Sequence, residues 1–282
     1  MNRKTPRIAV IQDLSCIGRC SLGVAMAVLP ALGAEAAVLP TAILSAHTAF
    51  EEFTFVDFAP EVERIMDHWQ RMQLRFDAIY IGYLGSVRLV RLAERFLARF
   101  RAPGAHVVLD PAFGDDGQLY AGFDMDYVRA MRALCTQADV ILPNVTEACF
   151  LLDVPFGEEV AHSAELATRA GALLGDPLRN IVLTSCRFPG DQTGLICVGA
   201  DAFEYAHEQL PLACPGTGDL FASVFVGLLV KSGNVEASAR AAADFTFECL
   251  RHSMDCPDHR WYGVDYEAML PELIRLAKQF QD

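Results

Sequence analysis

The chain has 282 residues, 52% of them hydrophobic and 21% charged, enough apolar material for a sizeable core and too little charge for disorder. A formal net charge of −13 argues against nucleic acid or an anionic membrane surface as a partner. The apolar stretch at 220–230 is too short to span a bilayer. Nine cysteines, odd in number and without regular spacing or a signal-peptide pattern, predict reduced thiols in a cytoplasmic protein.

Arg7 to Gln12 is a short apolar run that reads as a buried strand. Asp13 to Ser21 is a loop containing Gly18, and Leu22 to Leu32 is a helix bent or ended near Pro30 and closed by Gly33. A strand over Ala36 to Leu39 precedes a long polar-tipped segment, Pro40 to Phe58. Glu61 to Arg75 is an amphipathic helix. The pattern then repeats: strands over Asp77–Ile81, His106–Leu109, Val140–Leu142 and Ile181–Leu183 alternate with helices over Val87–Arg101, Met125–Gln137, Thr146–Leu152 and Ala164–Leu174. Thr193–Val198 and Ala202–Ala206 form a hairpin across Gly199-Ala200-Asp201. Helices follow from Leu220 and near 235–252 and 265–280. Apolar strands alternating with helices predict βαβ units and a mostly parallel sheet covered on both faces. Without a linker, repeat or low-complexity tract, residues 1–282 read as one three-layer α/β/α domain.

In open sheets of this kind, ligands bind beyond the carboxyl ends of the strands. Polar or turn residues stand at five such ends: Asp13, Gly82-Tyr83-Leu84-Gly85-Ser86, Asp110-Pro111 with Gly114-Asp115, Pro143-Asn144 with Glu147, and Thr184-Ser185. Acids from adjacent strand ends can hold Mg2+, partly through water, against a nucleotide's phosphates; each taken alone is also an ordinary cap or turn acid. Pro215-Gly216-Thr217-Gly218-Asp219 precedes the apolar helix. Its free N–H groups and helix dipole suit an anion, and Asp219 stands where it can take a proton from an attacking hydroxyl. The plainer reading is a glycine-rich turn with Asp219 as a cap. Cys16 and Cys20 lack a usual zinc spacing. His47, near Thr41, Ser45 and Thr48, reads equally as a ligand or acid and as a hydrogen-bonded structural histidine. There is no Walker A pattern, no G-x-G-x-x-G and no G-x-S-x-G, which weakens P-loop, Rossmann and α/β-hydrolase readings.

In order and spacing these motifs resemble the ribokinase-like superfamily. Within it they resemble the pyridoxal/pyridoxamine kinases and the related hydroxymethylpyrimidine kinases, over nearly the whole chain. The resemblance implies a homodimeric, ATP-dependent kinase that uses Mg2+ to phosphorylate a hydroxymethyl group on a small aromatic ring. It leaves open whether a monovalent cation such as K+ takes part. Asp219 matches the family's catalytic base, and Gly216, Thr217 and Gly218 its anion hole. Asp110, Asp115 and Glu147 match residues handling metal and ATP phosphates, with Asp110 and Glu147 nearest the metal; Asn144, Thr184 and Ser185 match the nucleotide side. Asp13, Thr48 and Tyr83 match positions facing the vitamin ring, and Ser15 is placed with them on the substrate side. Asp13-Leu14-Ser15 looks more like the pyrimidine enzymes, where pyridoxal kinases commonly carry Ser at the first position; those pyrimidine enzymes usually carry Cys where Asp219 stands. Pro215 also departs from related sequences, which often show His or another residue there. The loop after the first strand is too short for the strand lid of sugar kinases, which argues against ribose and fructose. Beside the vitamin-kinase readings stands a non-catalytic vitamin or nucleotide sensor on the same fold.

Overall fold

Strand β1 (Arg7–Ser15) shows how the layers arise. Successive side chains of a strand point to opposite faces. Ala9 and Ile11 therefore enter one buried cluster and Ile8 and Val10 another. A strand apolar on both faces needs a cover on both sides.

The computed structural model describes residues 5–157, 164–173, 175 and 179–280. After β1 come α1 (Ser21–Ala31), β2 (Glu35–Leu44), β3 (Phe55–Asp57), α2 (Ala59–Arg71), β4 (Ala78–Ile81), α3 (Val87–Phe100) and β5 (His106–Leu109). Next are β6 (Gly114–Asp115), β7 (Gln118–Leu119), α4 (Met125–Cys135), β8 (Val140–Ile141), α5 (Val145–Leu152) and α6 (Ala164–Leu173). The chain continues through β9 (Asn180–Phe188), β10 (Gln192–Gly199), β11 (Phe203–Glu208), α7 (Thr217–Ser232), α8 (Val235–Asp255) and α9 (Leu270–Gln279). Among the described residues nine strands join one sheet in the order β11-β10-β9-β8-β5-β4-β1-β2-β3. Its middle is parallel, from β9 through β8, β5, β4 and β1 to β2. The edges are antiparallel. Helices α2 to α6 cover one face and α1, α7, α8 and α9 the other.

Several segments depart from the sequence reading. Asp13-Leu14-Ser15, read as the start of a loop, belongs to β1, which goes on pairing with Ile43 and Leu44 of β2 beyond a register shift after Gln12. The strand at 36–39 runs on to Leu44 through Pro40, and β3 pairs antiparallel with its end. All three residues of β3 are exposed, so no burial pattern betrays it. The strand expected to end at Leu183 continues to Phe188, because beyond its parallel neighbour β8 it finds antiparallel partners in β10. The turn at Asp115 is a small hairpin of β6 and β7, closed by Asp116 and Gly117 at φ 48° and 74°. Positive φ at both central residues is what a tight hairpin turn demands. Leu174, the expected last residue of its helix, lies outside the described residues.

Helix α7 is buried nearly all round. A Cβ on Gly227 would sit 2.4 Å from Leu32 Cδ1, so glycine lets α7 pack closely on the end of α1. That packing fixes the axis of the helix whose N-terminus opens at the site.

Candidate active site

Gly216 caps α7 with φ +80°, and a Cβ there would lie 1.9 Å from the carbonyl oxygen of Arg19. Only glycine meets both conditions. No side chain caps this helix; the Leu220 N–H donates to the Gly216 carbonyl at 2.9 Å and the Thr217 hydroxyl to that of Cys214 at 2.8 Å. The first N–H groups thus stay available to a ligand. Asp219 lies on the first turn. Burial pushes its carboxyl up to about 7, the charge of Asp13 pushes the same way, and the Ser21 N–H works against both. A carboxylate near 7 is matched to general-base work at neutral pH.

The acidic rim comes from neighbouring strand ends. Asp110 follows β5, and burial, then Glu147 and Asp219, hold its carboxyl well above the usual range. Glu147 is 1% exposed. Its oxygens accept from the Phe113 N–H at 2.8 Å and the Asn144 N–H at 3.0 Å, while Asn144 caps α5 by accepting from the Glu147 N–H. Burial nonetheless pushes Glu147 up to about 7. Asn144 also donates to the Gly114 carbonyl at 2.8 Å, tying the Asp115 hairpin to α5. Burial raises the Asp115 carboxyl, the Asp116 N–H works against it, and the Asp116 charge adds a smaller upward push. Asn144 bridges to Thr184, and Ser185 beside it has φ +59°.

One cavity of about 390 Å3 is lined by Asp110, Asp115, Asn144, Glu147, Thr184 and Ser185, and also by Gly216, Thr217, Gly218 and Asp219. All ten expected catalytic and nucleotide-side residues therefore meet. The four expected ring-side residues do not line it. Asp13 lies behind, buried, within the electrostatic reach of Asp219, and accepts from Ser15 Oγ at 3.1 Å. Burial, opposed by Ser21 and Ser15, raises its carboxyl. Tyr83 is half-buried, its phenol pushed up to about 12 by burial and by Asp13. Thr48 sits on an exposed turn. His47 is held by the backbone: its Nδ1 accepts from the Ala49 N–H and its Nε2 lies 3.1 Å from the Tyr262 carbonyl, while burial lowers its basicity. This matches the structural alternative.

Sequence reasoning missed several residues here. Tyr120 lines the cavity, its phenol pushed up by burial and then Glu147. His207, Thr246, Phe247 and Leu250 form an opposite wall from β11 and α8, where helical and strand spacing alone marks no function. Beneath the acids, the side-chain polar atoms of Gln12, Tyr80 and Ser223 are fully buried, with Gln12 and Ser223 as hydrogen-bonding neighbours of the Tyr80 hydroxyl that oppose the upward push of burial on its phenol. Both nitrogen and oxygen of Gln12 are buried there.

The donor chemistry of the rim fits Mg2+. Its carboxylates are raised by burial and by one another, so a cation would relieve them. Among the described residues no group of three or more His, Cys, Asp or Glu converges as a ligand set. Mg2+ in phosphoryl-transfer sites is held by one or two carboxylates plus phosphates, and Asp110 and Glu147 could supply the former.

A profile of the family described as phosphomethylpyrimidine kinase matches residues 27–261. The chain belongs to this ribokinase-like kinase family. Family members of known structure include pyridoxal kinase from Lactobacillus plantarum, at 33% identity and TM-score 0.89 over 98% of this chain and 99% of that one. A Bacteroides thetaiotaomicron protein, provisionally described as a phosphomethylpyrimidine kinase, was crystallised with pyridoxal. It is 35% identical, with TM-score 0.88 over 96% of each chain. The pyridoxine/pyridoxal/pyridoxamine kinase of Bordetella avium is 29% identical over 255 residues, 86% of this chain and 84% of the relative. Among the described residues no helix is long and apolar enough to cross a membrane.

Proposed function

We propose that the chain is an ATP-dependent kinase that phosphorylates the 5′-hydroxymethyl group of pyridoxal, pyridoxamine or pyridoxine. The observation that carries this reading is the position of Asp219. It stands on the first turn of a glycine-opened helix and faces the same cavity as the acids of the strand ends. Asp219 takes the proton of the 5′-hydroxyl as that oxygen attacks the γ-phosphoryl group. The N–H groups of Gly216, Thr217 and Gly218 receive the charge that gathers on the transferring oxygens. Asn144, Thr184, Ser185 and Asp115 hold the nucleotide side. Asp13, Ser15, Thr48 and Tyr83, which stand outside that cavity, are assigned to the ring, with Tyr83 offering an aromatic face. Mg2+ held by Asp110 and Glu147 would supply neutralisation of the phosphates. Most of the rate comes from positioning and charge stabilisation, since phosphoryl transfer asks little else of the protein.

The named kinases among its relatives support the B6 vitamers. A second reading, hydroxymethylpyrimidine as acceptor, is favoured by the description of the matching family and by Asp13-Leu14-Ser15. An ADP-release assay over the three vitamers and hydroxymethylpyrimidine, with ATP and Mg2+ and with or without K+, separates them. Turnover of a vitamer well above the pyrimidine is expected; the reverse overturns the choice of substrate. Vitamer binding without ADP release under any divalent metal overturns the enzyme itself. The same reading carries a homodimer in the cytoplasm, supported by the family resemblance and by nine free cysteines.

A further inference from the structure

Cys214 lies two residues before Gly216 and lines the cavity, yet the phosphoryl-transfer scheme gives it no part. Its sulfur is 3.6 Å from Nε2 of His259, and Nδ1 of the same ring is 2.8 Å from Oδ2 of Asp265. The other oxygen of Asp265 pairs with the Arg19 guanidinium, and the Asp265 N–H donates to Ser253 Oγ at 2.8 Å. The Arg19 Nε reaches Glu267 at 2.8 Å, so the guanidinium that pairs with the orienting acid is itself held. The order is that of a nucleophile, a base within hydrogen-bond reach and a carboxylate orienting the base. Cys214 stands 45 residues before His259, and Arg19 joins from the other end of the chain, which makes the array unreadable by spacing.

Burial, then Asp265, keeps the Cys214 thiol above its ordinary range, while Arg19 draws it down. At rest the sulfur is therefore a thiol, and a base must take its proton at the moment of attack. With Asp265 accepting from Nδ1–H, the imidazole presents a bare Nε2 to the S–H. Cys214 is only half-buried, and its open side is the cavity, so a small electrophile can reach it.

We propose that Cys214 is a His259-activated thiol and a site of oxidation by hydrogen peroxide. The sulfur attacks one peroxide oxygen; the S–O bond forms as the O–O bond breaks. Sulfur gives up two electrons and the peroxide gains them. His259 takes the thiol proton and passes it to the departing hydroxide, leaving one sulfenic acid and one water. The added oxygen projects from the cavity wall beside the Gly216 loop. Its consequence for nucleotide binding rests on the kinase reading; the oxidation itself does not.

The full-length protein, reduced and then exposed to hydrogen peroxide with a sulfenic-acid trap, is digested and each cysteine peptide followed by mass spectrometry. Cys16, the exposed cysteine, is the internal reference. Cys214 is expected to react about 10-fold faster than Cys16, and His259→Gln to remove that advantage while the Cys16 rate stays constant. The wild-type comparison needs no variant to fold. Equal or slower reaction at Cys214, or an advantage that survives His259→Gln, overturns the proposal.

Discussion

Replacing Gly216 with alanine tests whether the loop's geometry, rather than its composition, supports turnover. The new Cβ would fall 1.9 Å from the Arg19 carbonyl oxygen, 2.9 Å from its carbon and 3.3 Å from Cys20 Cα. All three are backbone atoms, with no flexible side-chain end to yield. Reaching ordinary contact requires the loop or the Arg19 segment to move by about 1.5 Å. The φ of +80° adds strain of about 1 kcal/mol for a residue with a Cβ. Together, strain and overpacking should destabilise the fold by roughly 2–4 kcal/mol. The catalytic effect is larger in proportion: a 1 Å misplacement of positioning groups can cost about 100-fold in rate. Gly218 is the control, because a Cβ there meets nothing within 4 Å. Denaturant unfolding and ADP release, measured on both variants under conditions where each is fully folded, separate the two effects. Gly216→Ala should lose about 100-fold in kcat while Gly218→Ala keeps its stability. A folded Gly216→Ala variant with kcat within about 3-fold of the parent would show that the loop tolerates displacement and that its geometry does not limit turnover.

Asp219→Asn should abolish ADP release while nucleotide still binds by calorimetry; near-native turnover would remove Asp219 from its role. The same change should stabilise the protein at pH 8. A carboxyl raised to about 7 costs the folded state stability as pH climbs from about 4 through 7, on the order of 1–4 kcal/mol, and asparagine never ionises. The kcat/KM profile should fall on its acid side with a midpoint near 7, because the base must be unprotonated there. Asp13→Asn should move that midpoint down, since Asp13 raises Asp219; Glu147, also near 7, is raised instead by burial and Asp115, so an unmoved midpoint would point to Glu147. Glu147→Ala should destabilise by roughly 2–5 kcal/mol in urea unfolding by orphaning the N–H groups of Phe113 and Asn144; an unchanged midpoint would show that those groups find other partners.

The parallel heart of the sheet was legible because strands such as Ile8–Ile11 and Ala78–Ile81 are buried on both faces and so read as unbroken apolar runs. The rim was legible for the complementary reason: each apolar run gives way to an acid, an asparagine, a glycine turn or, at Thr184-Ser185, a pair of hydroxyls. What spacing cannot carry is distance between elements far apart in the chain. Asp13 and Asp219 each read as a separate loop or cap acid, yet the first helps to set the second near 7. Gln12, Tyr80 and Ser223 read as strand and helix residues, and only the packed core shows that their polar atoms share one buried layer, with Gln12 and Ser223 both beside the Tyr80 hydroxyl. Such a layer is costly unless something offsets it. Above it Asp110 is raised by burial first and then by Glu147 and Asp219, acids pushing on an acid. A fold that spends stability on converging carboxyl groups is consistent with a cavity completed by charge from outside the chain. A nucleotide brings its own cation, and that is the physical link between this acidic protein and an anionic substrate.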